Sequence, residues 1–279
     1  MNSLAKMSTH EVLQESISTI SSLRRQLDEA TTAPLAIVGM GCRFPGGCDD
    51  LDSYWDLIEG GRTGVRPLPD GRWDEAEYYD PRPGTPGKSY VRESNFLAGD
   101  VSLFDAGFFR IAPVEANAMD PQQRLLLEVT WEALENAGQN VDALRGSLTG
   151  VFVGISSNSE YNKLLASDSR INQYTGTGIA TSIASGRVAH YFGWNGPALS
   201  VDTACSSSLV TILLAAESLR RRECDLAVAG GVNLMLAPQI MAGLCMMNAL
   251  AADGRSRPFD AAASGYGRGE GCGMIVLKR

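Results

Sequence analysis

The feature that most constrains this chain is a short apolar strand that hands over to a helix across a single cysteine. The stretch opens on the turn pair Gly196-Pro197 and runs Ala-Leu-Ser-Val-Asp-Thr-Ala-Cys205-Ser-Ser-Ser-Leu209 into a tail ending at Leu219. Residues 198–201 have the length and apolar content of a buried strand, and 209–219 are good helix formers. Only small residues and one thiol lie between them. A cysteine at such a junction sits at the first turn of the helix. There the unpaired backbone N–H groups and the helix dipole favour a negatively charged sulfur. The same N–H groups can hold an oxyanion on a carbonyl under attack. A free cysteine is more often an inert core residue. Against that, three consecutive serines pack a core poorly, and they leave room for a substrate beside Cys205.

Val201-Asp-Thr-Ala-Cys-Ser-Ser-Ser-Leu209 resembles the nucleophile signature of the β-ketoacyl synthase family, in the form used by modular type I polyketide synthases. Four more blocks agree: Pro34-Leu-Ala-Ile-Val-Gly-Met-Gly-Cys-Arg-Phe-Pro-Gly46, Met119-Asp-Pro-Gln-Gln-Arg-Leu-Leu-Leu-Glu128, Glu223-Cys-Asp-Leu-Ala-Val-Ala-Gly-Gly231 and Gly265-Tyr-Gly-Arg-Gly-Glu-Gly271. They come in the family's order and span residue 34 to 279. The resemblance implies a thiolase-like fold of two halves related by pseudo-twofold symmetry, with the site between them. Only the amino-terminal half is matched.

The expected fold class is therefore α/β: a mixed, mostly parallel five-stranded sheet with helices on both faces, preceded by a coiled-coil helix. The strands are expected at 35–40, 150–155, 198–201, 225–230 and 274–278.

The resemblance also implies an acyltransferase of the 3-oxoacyl-[acyl carrier protein] synthase type. Cys205 is its nucleophile, with the Cys205 backbone N–H on the oxyanion. Acyl and malonyl-type acyl carrier proteins are the expected partners, with a second copy of the chain. Phosphopantetheine arrives on those carriers, so no permanently bound cofactor is expected. The family's second half brings two histidines, and His190 matches neither; it reads as a helix-packing residue. The chain alone is then expected to be unable to condense, with its sheet face toward the second half exposed. Leu213 stands where relatives often have histidine. The alternative is a non-catalytic dimerisation and docking scaffold. A cysteine hydrolase is disfavoured, because no histidine and acid are placed for a triad.

Composition narrows the class further. The 279 residues, 44% hydrophobic, can bury a sizeable core. A net charge of −8 opposes nucleic-acid binding, which needs a basic face. No apolar run is long enough to span a membrane, and residues 1–8 lack a signal-peptide pattern. Six cysteines without a Cys-x-x-Cys pair, beside two histidines, suggest neither a disulfide framework nor a zinc site. A reducing cytoplasm fits.

Two domains are expected: 1–33, a docking helix and linker, and 34–279, the ketosynthase amino-terminal domain. Residues 8–29 read as a helix, with Ser8 and Glu11 at capping-box spacing and Thr31-Thr-Ala-Pro34 as linker. Leu13, Ile17, Ile20 and Leu27 form a narrow stripe with Arg24 at the skipped position, bordered by Leu23. The stripe suits either packing on the domain behind it or a short parallel coiled coil. The resemblance implies the latter, docked to an upstream synthase polypeptide through 8–29.

Gly39-Met-Gly41 invites a dinucleotide-binding reading, which fails because Phe44 and Pro45 stand where a helix should open. Residues 50–59 read as a short helix closed by Gly60-Gly61. The turn-rich stretch 62–118 reads as a surface excursion. Asp120-Pro121 should start a packing helix that Gly138 ends, and 180–192 a second helix. A Ser/Asn-rich loop is expected at 156–159. Glu217 and Arg221 are spaced as an i,i+4 pair ahead of the cationic Arg220-Arg-Arg222. The methionine-rich 238–248 suits either an acyl channel or core filling.

Overall fold

The computed structural model describes residues 8–156, 161 and 171–279, with the side chains at 26–30 outside the description. Most of the expected 156–159 loop and the side chain of Leu27 thus lie outside the described residues.

Five strands build one sheet: β1 (Ala36–Arg43), β2 (Thr149–Ile155), β3 (Ala198–Val201), β4 (Leu226–Asn233) and β5 (Gly271–Lys278). Their spatial order is β1-β5-β4-β2-β3. The β4–β2 and β2–β3 pairs are parallel, and β5 runs antiparallel to both of its neighbours. Four of the five strands therefore point the same way, as expected of a mixed, mostly parallel sheet.

Alternation along β2 sends side chains to two different cores. Val151, Val153 and Ile155 pack with Leu127 and Leu134 of α3 (Pro121–Asn136) and with Val188 and Phe192 of α4 (Thr181–Phe192). Phe152 points the other way, toward Ala215 and Leu219 of α5 (Ser207–Arg220). Helices thus cover both faces. Contrary to expectation, no sheet face is left open among the described residues, and what is exposed instead is the far side of α5, with Leu209 and Leu213. Leu213 faces solvent, outside the cleft described below.

Gly39 and Gly41 serve packing. A Cβ at Gly39 would stand 2.4 Å from the Ala133 carbonyl oxygen, and one at Gly41 2.7 Å from that of Val129, so β1 lies directly on α3. The β5 strand starts three residues earlier than expected, because Gly271 and Gly273 pair on the ladder opposite Asn233 and Gly231.

One helix precedes the sheet, α1 (Thr9–Thr32), and α2 (Leu51–Glu59) follows β1. The Ser8–Glu11 capping box is present, and α1 continues through Thr31 and Thr32, which were expected in the linker. Leu13, Ile17, Ile20 and Leu23 are each more than half exposed, so this stripe is not packed on the domain. Asp50 caps α2 as expected, in a capping box with Ser53.

Residues 62–118 do more than skirt the surface. Val91 and Phe96 build a third core with Met235, and with Met241 and Cys245 of α6 (Gln239–Met246). Met241 is core filling, while Met246 and Met247 are exposed. On α5, Glu217 pairs with Arg220, and Arg221 with Glu223, in place of the expected i,i+4 pair.

Candidate active site around Cys205

The strand-to-helix junction is a strained turn. Ala204 holds φ at 56°, a left-handed value that costs a non-glycine residue about 1–2 kcal/mol. Side chains secure it. Asp202 Oδ1 accepts from the Ala204 N–H at 3.0 Å and from Ser156 Oγ at 3.1 Å. Ser207 Oγ accepts from the Thr203 N–H at 2.9 Å and donates to the Ala204 carbonyl at 2.7 Å. Ser206 Oγ donates to the Thr203 carbonyl at 2.9 Å. The serines were expected to clear space for a substrate. Instead Ser206 and Ser207 tie the turn, and only Ser207 and Ser208 of the three border the cleft.

Cys205 occupies a single 3-10 turn, Ala204–Ser206, that feeds straight into α5. No side-chain hydrogen bond caps the start of α5, so its first-turn amides lie beside the sulfur without a side-chain acceptor. All six cysteines are free thiols, and Cys205 alone is exposed. Burial pushes the Cys42 thiol up to about 11 and raises those of Cys48, Cys224 and Cys272 as well.

Cys205 opens on a cleft of about 680 Å³. One wall is the ends of β2 and β4, with Gly154, Ile155 and Val232. The opposite wall is the glycine-rich 266–271 segment, and α6 supplies Ile240 and Leu244. The methionines of 238–248 do not line it. Neither histidine does: His190 is exposed in the last turn of α4, where a packed residue was expected. With no histidine bordering Cys205, the hydrolase reading has no base to build on. Among the described residues no cluster of His, Cys, Asp and Glu could hold a metal ion.

Two polar devices shape the walls, and the sequence reading passed over both. The first turn of α3 is polar and buried, where plain packing was expected. Gln122 Oε1 accepts from the Leu234 N–H at 2.9 Å, Gln123 Nε2 donates to the Gly178 carbonyl at 2.9 Å, and Arg124 Nη1 donates to the Ser102 carbonyl at 2.6 Å. Glu270 is the second device. Its Oε1 accepts from the Met235 N–H at 2.8 Å, and its Oε2 accepts from the Leu97 N–H at 2.8 Å and from Arg72 Nη2 at 2.9 Å. The one available signal was two adjacent glutamines and an arginine directly after a helix cap, where surface polarity and a buried hub read alike.

Comparison with known proteins adds an independent line. The family profile described as "Beta-ketoacyl synthase, N-terminal domain" matches residues 32–279. Over 256 residues the chain is 53% identical to the phenolphthiocerol synthesis polyketide synthase type I Pks15/1 of Mycobacterium bovis, covering 91% of this chain and 12% of that protein. It is 50% identical to the spectinabilin polyketide synthase system protein NorC of Streptomyces orinoci, covering 91% of this chain and 11% of that one.

Two solved structures superpose well. The oxazolomycin ketosynthase domain OzmH KS7 of Streptomyces albus JA3453 gives a TM-score of 0.80 at 37% identity, covering 88% of this chain and 43% of that one. The ketosynthase from module 6 of the bacillaene synthase of Bacillus subtilis 168 gives 0.77 at 39% identity, covering 88% and 40%. The chain thus spans about one-eighth of the length of these curated relatives, 12% and 11%, and under half of these solved ketosynthases.

Proposed function

The chain belongs to the β-ketoacyl synthase family, through its amino-terminal domain, and from that premise we propose that it supplies the acyl-accepting half of a ketosynthase site for polyketide chain elongation. Its fold is the amino-terminal half of the thiolase-like architecture of ketosynthases. The observation that carries the reading is the setting of Cys205: the one exposed thiol of six, on a strained turn at the foot of α5, facing a cleft.

In the proposed reaction, Cys205 Sγ attacks the thioester carbonyl of an acyl group on an acyl carrier protein. A new C–S bond forms, the old one breaks, and the carrier's phosphopantetheine thiol leaves with the proton that Cys205 gives up. The backbone N–H of Cys205 holds the oxyanion. A malonyl-type group on a second carrier then loses carbon dioxide. Its carbanion attacks the Cys205 thioester, a C–C bond forms, and the cysteine thiolate departs. This is a decarboxylative Claisen condensation. Phosphopantetheine enters only as part of the carrier substrates.

The histidines that the family uses for decarboxylation come from its second half, and neither histidine of this chain borders the cleft. On this reading the chain alone takes up acyl groups and releases no carbon dioxide.

The test uses the chain as it stands. Iodoacetamide should modify Cys205 and spare the five buried thiols, and acyl-N-acetylcysteamine thioesters should add one acyl mass at that residue by intact mass spectrometry. Cys205→Ala should abolish both while leaving the fold intact. An inert Cys205 would favour the scaffold alternative. Steady release of labelled carbon dioxide from malonyl carrier would refute the expected inactivity.

The exposed stripe on α1 and the edge strand β3, with exposed Leu199, support a homodimer docked to an upstream synthase polypeptide through 8–29. Placing a charge in the seam with Ile17→Glu should lower dimer stability at least tenfold in Kd, read by sedimentation equilibrium. An unchanged Kd would remove α1 from the interface. Free thiols at all six cysteines accord with a reducing cytoplasmic setting. Among the described residues no helix is long and apolar enough to cross a membrane.

A further inference from the structure

One buried polar group on the cleft wall is unused by the condensation chemistry. Gln122 stands in the first turn of α3, is 3% exposed, and lines the cleft that holds Cys205. Its Oε1 accepts from the Leu234 N–H at 2.9 Å, which fixes the oxygen end of the amide and leaves Nε2 at the other. That Nε2 carries two N–H donors and makes no hydrogen bond to any described residue.

Its neighbour Gln123 behaves differently. Gln123 Nε2 spends its donors on the carbonyls of Gly178, Thr177 and Ala180, and its Oε1 accepts from Arg187 Nε at 2.8 Å. Gln123 is a structural staple, whereas Gln122 is anchored at one end only. The cleft lining includes apolar Ile155, Val232, Leu234 and Ile240 beside the polar Asn233 and Ser208. Nε2 is not sealed off and reaches the open cleft. An acyl chain that fills the cleft strips water from it, and an acceptor on that chain restores the hydrogen bond.

We infer that Gln122 is a specificity residue whose Nε2 donates to an oxygen on the acyl chain carried by Cys205. The site then favours acyl chains that bear a carbonyl over saturated ones of equal length. A purely apolar wall discriminates weakly between such chains. A wall with a placed donor rejects the chain that leaves the donor unpaired. The inference rests on the reading of Cys205 as the acyl acceptor.

The test measures acylation of Cys205 by N-acetylcysteamine thioesters of matched chains, one saturated, one 3-oxo and one 5-oxo. The reading is each oxo-to-saturated rate ratio in the wild-type chain divided by that in a variant, which cancels intrinsic thioester reactivity. Gln122→Glu keeps an acceptor for the Leu234 N–H and removes the donors; Gln122→Met removes both. At least one oxo chain should lose about tenfold of its relative rate in both variants, the loss expected for one hydrogen bond of this kind. The iodoacetamide labelling rate of Cys205 should stay unchanged in Gln122→Met, which adds no charge to the cleft, whereas a collapse of the site would lower it. Ratios that hold within about twofold for both oxo chains overturn the inference. Labelling by iodoacetamide with no acylation by any thioester would instead refute the acyl-acceptor reading itself.

Discussion

Replacing Arg72 with methionine is expected to lower folding stability by about 3–5 kcal/mol, the cost of stripping a partner from a buried charge. The Arg72 and Glu270 side chains are 6% and 0% exposed and meet at 2.9 Å. Arg72 Nη1 also donates to the Met235 carbonyl at 3.0 Å. The pair ties the 62–118 stretch to the glycine-rich wall of the cleft, and the carboxylate additionally holds the amides of Leu97 and Met235. Methionine fills part of the space but leaves an ionised carboxylate among apolar neighbours.

Burial already pushes the Glu270 carboxyl above its ordinary range, against the pull of Arg72 and the two amides. Removing Arg72 raises it further. A carboxyl raised in the folded state binds its proton more tightly there than in the unfolded chain. The deficit of Arg72→Met should therefore be greatest above the folded pKa and shrink on acidification through it. Urea denaturation of both proteins across the acidic range would show this. A deficit below about 1 kcal/mol, or one that grows as pH falls, would mean that the pair is not a buried clamp.

Local signals in the sequence carried the regular parts of this fold. Residues 198–201 form β3 at the bounds read, because a short apolar run between a Gly-Pro turn and small residues leaves few alternatives. The strand is not buried as expected: it lies at the sheet's edge, with Ala198 and Leu199 exposed. Asp120 accepts from the Gln122 N–H at 2.8 Å as a cap residue before Pro121 should. Cys205 lies where the junction argument put it, at the foot of a helix.

What the sequence hid is long-range and polar. Arg72 and Glu270 are 198 residues apart, and no periodicity links them. Gln122 and Gln123 sit where helix patterning alone gives no reason to bury an amide. The serines after Cys205 showed their small size, but which carbonyl or amide each hydroxyl would meet depends on the left-handed turn at Ala204. That turn exists only because the surrounding contacts hold it. The His190 reading failed for the opposite reason: the last turn of a helix faces solvent as easily as core.

The same turn sets up a large effect on the chemistry at Gly154, outside the nucleophile segment. Gly154 lies in β2 between Val201 of β3 and Gly231 of β4. A Cβ there would stand 2.8 Å from the Ser207 carbonyl carbon and 2.8 Å from the Ser208 nitrogen. Those are backbone atoms of the first turn of α5, so no side chain can rotate away. Gly154→Ala must lift the foot of the helix off the sheet, or push the strand down, by several tenths of an ångström. The overpacking should cost about 1–3 kcal/mol. The displacement falls on the Ser207–Ser208 peptide, in the first turn of the helix that follows Cys205, and misplacement of about 1 Å at a reacting group can cost a hundredfold in rate. A shift of several tenths of that size should therefore lower acylation of Cys205 by about one order of magnitude in protein that still unfolds cooperatively. Gly186→Ala is the control. Gly186 lies in α4 with nothing within 4 Å of an added Cβ, so that change should be neutral or stabilising by about 0.5–1 kcal/mol. Wild-type acylation rates in Gly154→Ala would show that the seating of α5 on β2 does not govern the reactivity of the sulfur.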